Sequence, residues 1–272
     1  MFRRTFHWFT ALSMLATVAA VPACQFDQDG NLVNEHGVVV ARLAAQVRPR
    51  VLYLTHTAGF KHDVLPHSEA VLQKLGQEQG WDVMATKDVG LLNASTLKDY
   101  AAVVFYTTGE LPISDQQKQD LLAYIRGGGG LVGVHSATDT FYKWPEYGEI
   151  MGGYFDNHPW HEEVGVIVED RTHASTKHLP ERFRITDEIY QHRNWSRDNV
   201  HVLVKLDPDT VDLTKKGVNR TDRDFGLSWT NTYGEGRSFY TAFGHRKEVW
   251  DDPRFQAHLV EGIRWAMKKQ AG

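Results

Sequence analysis

Histidine is the main source of possible chemistry in this 272-residue chain, which contains 14 of them. Imidazole exchanges protons near neutral pH, and its ring nitrogens also bind zinc. Because several histidines follow predicted strands, we expect them to lie where a sheet presents functional groups. His62, His135 and His245 are the predicted metal ligands, with zinc favoured and no organic cofactor expected. No closely spaced motif such as HExxH supports the metal, and a solvated loop position is the alternative for each histidine.

An acidic pair, Asp187 and Glu188, lies between the apolar residues Ile185 and Ile189. Adjacent residues of a strand point to opposite faces, so only one of the two carboxyl groups can face a given pocket. An apolar pocket would raise the pKa of that carboxyl group, which suits general acid–base catalysis. A surface acid pair is the alternative interpretation.

Residues 127–141 place His135 at the end of a strand. Four glycines follow a helical pattern, and the apolar run at 131–134 predicts a buried strand that ends at this histidine. Further strands are predicted at 51–55 and 100–107, and helices at 66–79 and after Ser114. This alternation predicts a doubly wound α/β fold, in which ligands bind beyond the carboxyl ends of the strands.

The second half of the chain is richer in predicted strands and in aromatic residues. Strands are predicted at 164–168, 201–206, 227–230 and 237–242, and a helix at 255–267. Trp144 and Trp160 lie in or near predicted loops, where flat rings could bind the C–H faces of a sugar. We predict them as substrate-binding residues together with His158 and Arg246, and core packing is the alternative for the tryptophans.

Composition and the N-terminus limit the class of protein. A net charge of −4 argues against a nucleic-acid binder. Arg3 and Arg4 precede a mostly apolar stretch at 9–21, which predicts a signal peptide over residues 1–23 and an exported protein. Cys24 is the single cysteine, so a lipid anchor at this residue and plain secretion are both open. We predict a linker at 24–48 and one domain at 49–268, with no disulfide or thiol nucleophile in the fold.

Four short motifs stand out in the chain: LTHTAGFKH at 54–62, GGGLVGVHS at 128–136, DEIY at 187–190 and FGH at 243–245. They resemble motifs of the trehalose-utilisation (ThuA-like) family of the class I glutamine-amidotransferase-like superfamily. The resemblance implies a flavodoxin-like three-layer α/β/α sandwich, with β-rich elaborations in the second half, and a role in carbohydrate metabolism. Glutamine amidotransferases carry a nucleophilic cysteine after the strand that here ends in His135, so thiol chemistry is excluded.

These observations lead to three hypotheses of function. The first is an exported enzyme that cleaves a glycosidic bond of an oligo- or polysaccharide, or of a keto-sugar derivative, by hydrolysis or elimination. His135 would be base or metal ligand, Glu188 the acid–base partner, Tyr190 a donor to the leaving oxygen, and Asp139 the group that orients His135. The second is a metal-dependent hydrolase of a non-sugar substrate, and the third is a non-catalytic sugar-binding protein. The oligomeric state is open.

Overall fold

The computed structural model describes residues 48–268 and four short pieces at 25–26, 28, 32–34 and 39–41. By contacts, the chain divides into two units, residues 1–47 and 48–272. In the first unit, Gln25–Phe26 (β1), Leu32–Val33 (β2) and Val39–Ala41 (β3) pair as antiparallel neighbours. These strands are too short to give a periodic pattern in the sequence. The predicted signal peptide and Cys24 lie outside the described residues.

The second unit is built on one nine-stranded sheet in the order β5-β4-β6-β7-β12-β11-β10-β8-β9. Its strands are Arg50–Leu54 (β4), Asp82–Thr86 (β5), Ala102–Phe105 (β6), Gly130–Val134 (β7), Tyr154–Val168 (β8), Arg182–Arg193 (β9), His201–Leu206 (β10), Gly226–Tyr233 (β11) and Gly236–Thr241 (β12). The first five strands of the sheet are parallel neighbours. Taken along the chain, these five follow the 2-1-3-4-5 order of flavodoxin-like sheets. The predicted doubly wound, flavodoxin-like fold is confirmed.

Helices cover both faces of this sheet. They are Leu65–Gln79 (α1), Ala94–Leu97 (α2), Asp115–Arg126 (α3), Pro145–Met151 (α4), Lys247–Asp251 (α5) and Pro253–Ala266 (α6). On β12, Phe239 meets α6, whereas the next residue, Tyr240, lies beside Met151 of α4. Since adjacent strand residues point to opposite faces, α4 and α6 lie on opposite sides of the sheet. No described helix is long and apolar enough to span a membrane.

The remaining strands form an antiparallel extension that the sequence patterns predicted only in part. The predicted strand at 164–168 is the last part of β8, which begins at Tyr154 and pairs with β9 over most of its length. The register is irregular between Phe155 and Trp160, where Pro159 interrupts the ladder. This long β8–β9 ribbon places His161 directly opposite Glu188.

Candidate active site

Four predicted site residues meet at the carboxyl edge of the parallel strands. His62 lies in the loop after β4, His135 follows β7, His245 follows β12, and Glu188 comes from β9. One ligand atom of each side chain lies within 4.8 Å of those of the other three. We call these four residues the His/Glu cluster. The fold therefore gathers groups from positions far apart in the sequence, because parallel strands all end at the same edge.

His135 is held in an unusual backbone conformation. Its φ of 46° lies in the left-handed region, which is uncommon for a residue other than glycine. The Tyr240 hydroxyl donates a hydrogen bond to the His135 carbonyl at 2.7 Å, and His135 Nδ1 donates to the Ala242 carbonyl at 2.7 Å. Because a carbonyl only accepts, the neutral ring must carry its proton on Nδ1 and keep a lone pair on Nε2. Backbone strain with a fixed tautomer is typical of functional sites.

Glu188 lies between buried and half-exposed histidines. Its Oε2 is 3.2 Å from His135 Nε2 and 3.1 Å from His245 Nδ1. Its Oε1 is 3.4 Å from His158 Nδ1 and 4.0 Å from His161 Nδ1. We call His158 and His161 the outer histidines, because their side chains are 48% and 45% exposed. One carboxylate oxygen thus faces the cluster interior and the other faces the side open to solvent.

Asp187, the other member of the acidic pair, holds the loop that carries His245. Its fully buried carboxylate accepts the Gly244 backbone N–H at 2.7 Å and the Arg246 backbone N–H at 3.1 Å. These two residues flank His245, so Asp187 fixes the backbone on both sides of a cluster histidine. Asp187 is a positioning residue that sequence reasoning did not assign, because its partners lie more than 50 residues away.

The surroundings of the cluster residues determine the direction of their pKa shifts. Burial by itself would raise the pKa of Glu188, but hydrogen bonds and charge from the protonated forms of His135 and His245 hold that pKa well below its usual range. The sequence predicts a raised pKa only for an acid that faces an apolar pocket, and the pocket around Glu188 is lined by imidazoles. Burial opposes protonation of His245, yet the hydrogen bond and charge of Glu188 outweigh it and raise the His245 pKa. Burial, followed by repulsion from the other two cluster histidines, lowers the pKa of His62 to about 3.

Two further predicted catalytic residues lie near the cluster in different ways. The buried ring of Tyr190 packs on the His135 ring, with centroids 4.2 Å apart, and burial raises its pKa well above the usual range. Asp139 instead accepts a hydrogen bond from the Tyr142 hydroxyl at 2.5 Å. The predicted role of Asp139 in orienting His135 is wrong, because the Ala242 carbonyl occupies the ring nitrogen that Asp139 would need.

The predicted tryptophan platforms are also wrong, since both rings belong to the core. Trp160 is fully buried and donates its indole N–H to the Asp212 carbonyl at 3.0 Å. Trp144 is 5% exposed and stacks on Tyr147. Arg246 does follow His245, and its Nε is buried with no hydrogen-bond partner among the described residues.

The fold agrees with comparisons between this chain, known protein families and solved structures. A model of a family described as trehalose utilisation (ThuA) matches residues 50–266. The solved ThuA-like protein of Bacteroides uniformis is 27% identical, with a TM-score of 0.70, and the match covers 84% of this chain and 94% of that chain. A ThuA-like protein of Parabacteroides merdae, 22% identical with a TM-score of 0.64, shares the fold over 83% of this chain and 92% of its own. A comparison with curated proteins gives no match.

Proposed function

The chain belongs to the ThuA family of trehalose-utilisation proteins, which connects it with sugar metabolism, and we propose that it is an exported enzyme that cleaves glycosidic bonds. The substrate would be an oligo- or polysaccharide, or a keto-sugar derivative, cleaved by hydrolysis or elimination. The observation that carries the proposal is the His/Glu cluster at the carboxyl edge of the sheet, in which His62, His135 and Glu188 are buried and His245 is partly exposed. Export rests on the signal peptide predicted at residues 1–23.

The cluster supplies a base that is ionised near neutral pH. The depressed pKa of Glu188 keeps it a carboxylate, and its Oε1 faces the half-exposed outer histidines, where a substrate would approach. Glu188 would accept a proton from water in hydrolysis, or from the carbon beside a keto group in elimination, and would return that proton to the leaving oxygen as the glycosidic C–O bond breaks. Tyr190 keeps its proton because burial raises its pKa, so its hydroxyl would be a hydrogen-bond donor to the leaving oxygen.

The cluster also fits a divalent metal ion, with zinc favoured. Donors about 2.0–2.1 Å from a tetrahedral zinc ion lie roughly 3.3 Å from one another. His135 Nε2 and His245 Nδ1 are 3.2 Å apart, and Glu188 Oε2 is at similar distances from both. His62 Nδ1 is a buried ring nitrogen without a hydrogen-bond partner in the part of the chain that the structure describes, which a bound ion can account for. His62, His135 and His245 would hold the ion, which when bound supplies a Lewis acid.

The proposal is tested by product analysis on purified protein. The wild type, His135→Ala and Glu188→Gln are incubated with oligo- and polysaccharides, including 3-keto and uronic-acid forms, with and without a chelator. Mass spectrometry distinguishes addition of water from an unsaturated product. We expect turnover by the wild type and a loss of about 100-fold or more in Glu188→Gln.

Three other outcomes would contradict the proposal. Full activity in both variants would show that the cluster takes no part in the reaction. Saturable saccharide binding with no product would identify a sugar-binding protein. Chelator-sensitive cleavage of esters or amides, with no action on any saccharide, would identify a metal-dependent hydrolase of another substrate class.

A further inference from the structure

Phe60 is a large apolar side chain that the fold leaves in solvent. Its side chain lies in the loop between β4 and α1 and is 64% exposed, whereas the tryptophan rings near the site are buried. Among the described residues the other exposed large hydrophobic side chain is Met84, on edge strand β5. Exposed apolar residues that occur singly are common, so exposure by itself says little about function.

The backbone that carries Phe60 is fixed. The N–H groups of Ala58 and Gly59 donate to the Thr108 carbonyl at 2.8 and 3.2 Å. The Thr108 hydroxyl donates in turn to the Phe60 carbonyl at 2.8 Å. A Cβ on Gly59 would lie 3.4 Å from the Gly109 nitrogen, so the two loops are in close contact. The ring therefore projects from a loop that is bonded to its neighbour and is not a free loop tip.

This ring lies beside the His/Glu cluster. The Phe60 and His62 rings meet edge to face, with centroids 4.9 Å apart. The His62 and His245 rings also meet edge to face, with centroids 5.2 Å apart, and the centroid of the His245 ring is 5.0 Å from that of the outer histidine His161. A flat apolar surface on one loop thus adjoins the cluster at His62, and His245 connects the cluster to the half-exposed His161.

We propose that Phe60 is the platform on which a pyranose ring of the substrate stacks at the entrance to the cluster. A pyranose has a C–H face that packs on an aromatic ring and hydroxyl groups that need polar partners, and this site offers both side by side. Phe60 would take the role that the sequence had suggested for Trp144 and Trp160. The inference rests on the proposed function, because it assumes that the ligand is a sugar.

The test compares four variants by saturation-transfer NMR titration with trehalose, cellobiose and maltose. Phe60→Ala removes the ring, Phe60→Leu keeps an apolar side chain without a flat face, Phe60→Tyr restores the face, and Met84→Ala is the matched control. We expect Phe60→Ala and Phe60→Leu to raise the Kd about two- to tenfold. Phe60→Tyr and Met84→Ala should bind like the wild type, and all four should keep the wild-type Tm and zinc affinity.

Two results would overturn the stacking role, and they differ in what they say of the proposed function. If the wild type binds a saccharide and Phe60→Ala binds it equally well, Phe60 is not the platform, and the catalytic proposal stands. If the wild type binds none of the three sugars and cleaves no saccharide in the product analysis, both proposals fail together. A fall in zinc affinity in Phe60→Ala would show that the ring supports His62 structurally, which also contradicts the proposal.

Discussion

Replacing Glu188 by glutamine should change stability in a way that depends on pH, because its carboxylate is paired with His245. In metal-free protein, Oε2 is within hydrogen-bond distance of two imidazoles, at 3.2 and 3.1 Å. A hydrogen bond to a charged group contributes about 1.5–3 kcal/mol and a neutral one about 0.5–1.5 kcal/mol. Glutamine keeps the shape and one acceptor but loses the charge. We therefore expect Glu188→Gln to lower the free energy of unfolding by roughly 2–3 kcal/mol at pH values where Glu188 and His245 are both charged in the wild type.

The pH window follows from the directions of the two pKa shifts. The pKa of Glu188 is lowered in the folded protein, so its contribution is present above the unfolded value of about 4.3 and is lost as the pH falls through the folded pKa. The pKa of His245 is raised, so its contribution is present below about 6.5 and is lost as the pH rises through the folded pKa. The difference between wild type and variant should be largest at about pH 5–6.

The assay is urea unfolding of both proteins, in chelator, at intervals from about pH 4 to pH 9. Glu163→Gln is the matched control, because Glu163 meets Arg184 at 3.2 Å with both side chains 58% exposed. An exposed pair of this kind contributes about 0–1 kcal/mol, so the control should show little change at any pH. A Glu188→Gln effect that is constant with pH, or a variant more stable than the wild type at pH 5–6, would show that the charged pair does not stabilise the fold.

Three further predictions concern the metal, the positioning residue and the buried tryptophan. Zinc at about 100 times its Kd should stabilise the wild type by about 2.7 kcal/mol, measured as a rise in Tm. The rise should disappear in His62→Ala, and no rise in the wild type would count against a bound metal. Asp187→Ala leaves the buried N–H of Gly244 and the partly buried N–H of Arg246 without their acceptor. It should cost about 1–3 kcal/mol for the buried group and less for the other in urea unfolding, and should also reduce turnover; unchanged turnover would show that the loop needs no such support. Trp160→Phe should lower stability by about 1–3 kcal/mol while saccharide affinity stays within about twofold in NMR titration, and a larger loss of affinity would restore Trp160 as a platform.

The sequence predicted the parallel half of the fold because its signals are local. The apolar runs before His56 and His135 are long enough to predict buried strands. The prediction of Ser114 as a helix cap is confirmed, because its hydroxyl accepts a hydrogen bond from the Gln117 backbone N–H within one turn. Strand–helix alternation then implies that the strand ends share one edge. For this reason His62 and His135 could be expected at one edge, whereas His245 follows β12, which the sequence patterns did not assign to the parallel strands; the structure places all three together.

The way in which the antiparallel ribbon completes the site depends on long-range pairing that the local sequence does not show. The pairing of His161 with Glu188 across β8 and β9 joins segments 27 positions apart, and the irregular register near Pro159 hides the strand period. Burial of Trp144 and Trp160 likewise depends on which elements fold over them. The direction of the Glu188 pKa shift depends on which side chains surround the carboxylate, since desolvation and imidazole hydrogen bonds act in opposite senses. Local sequence determines where strands form and where they end, whereas long-range pairing determines which groups surround each side chain.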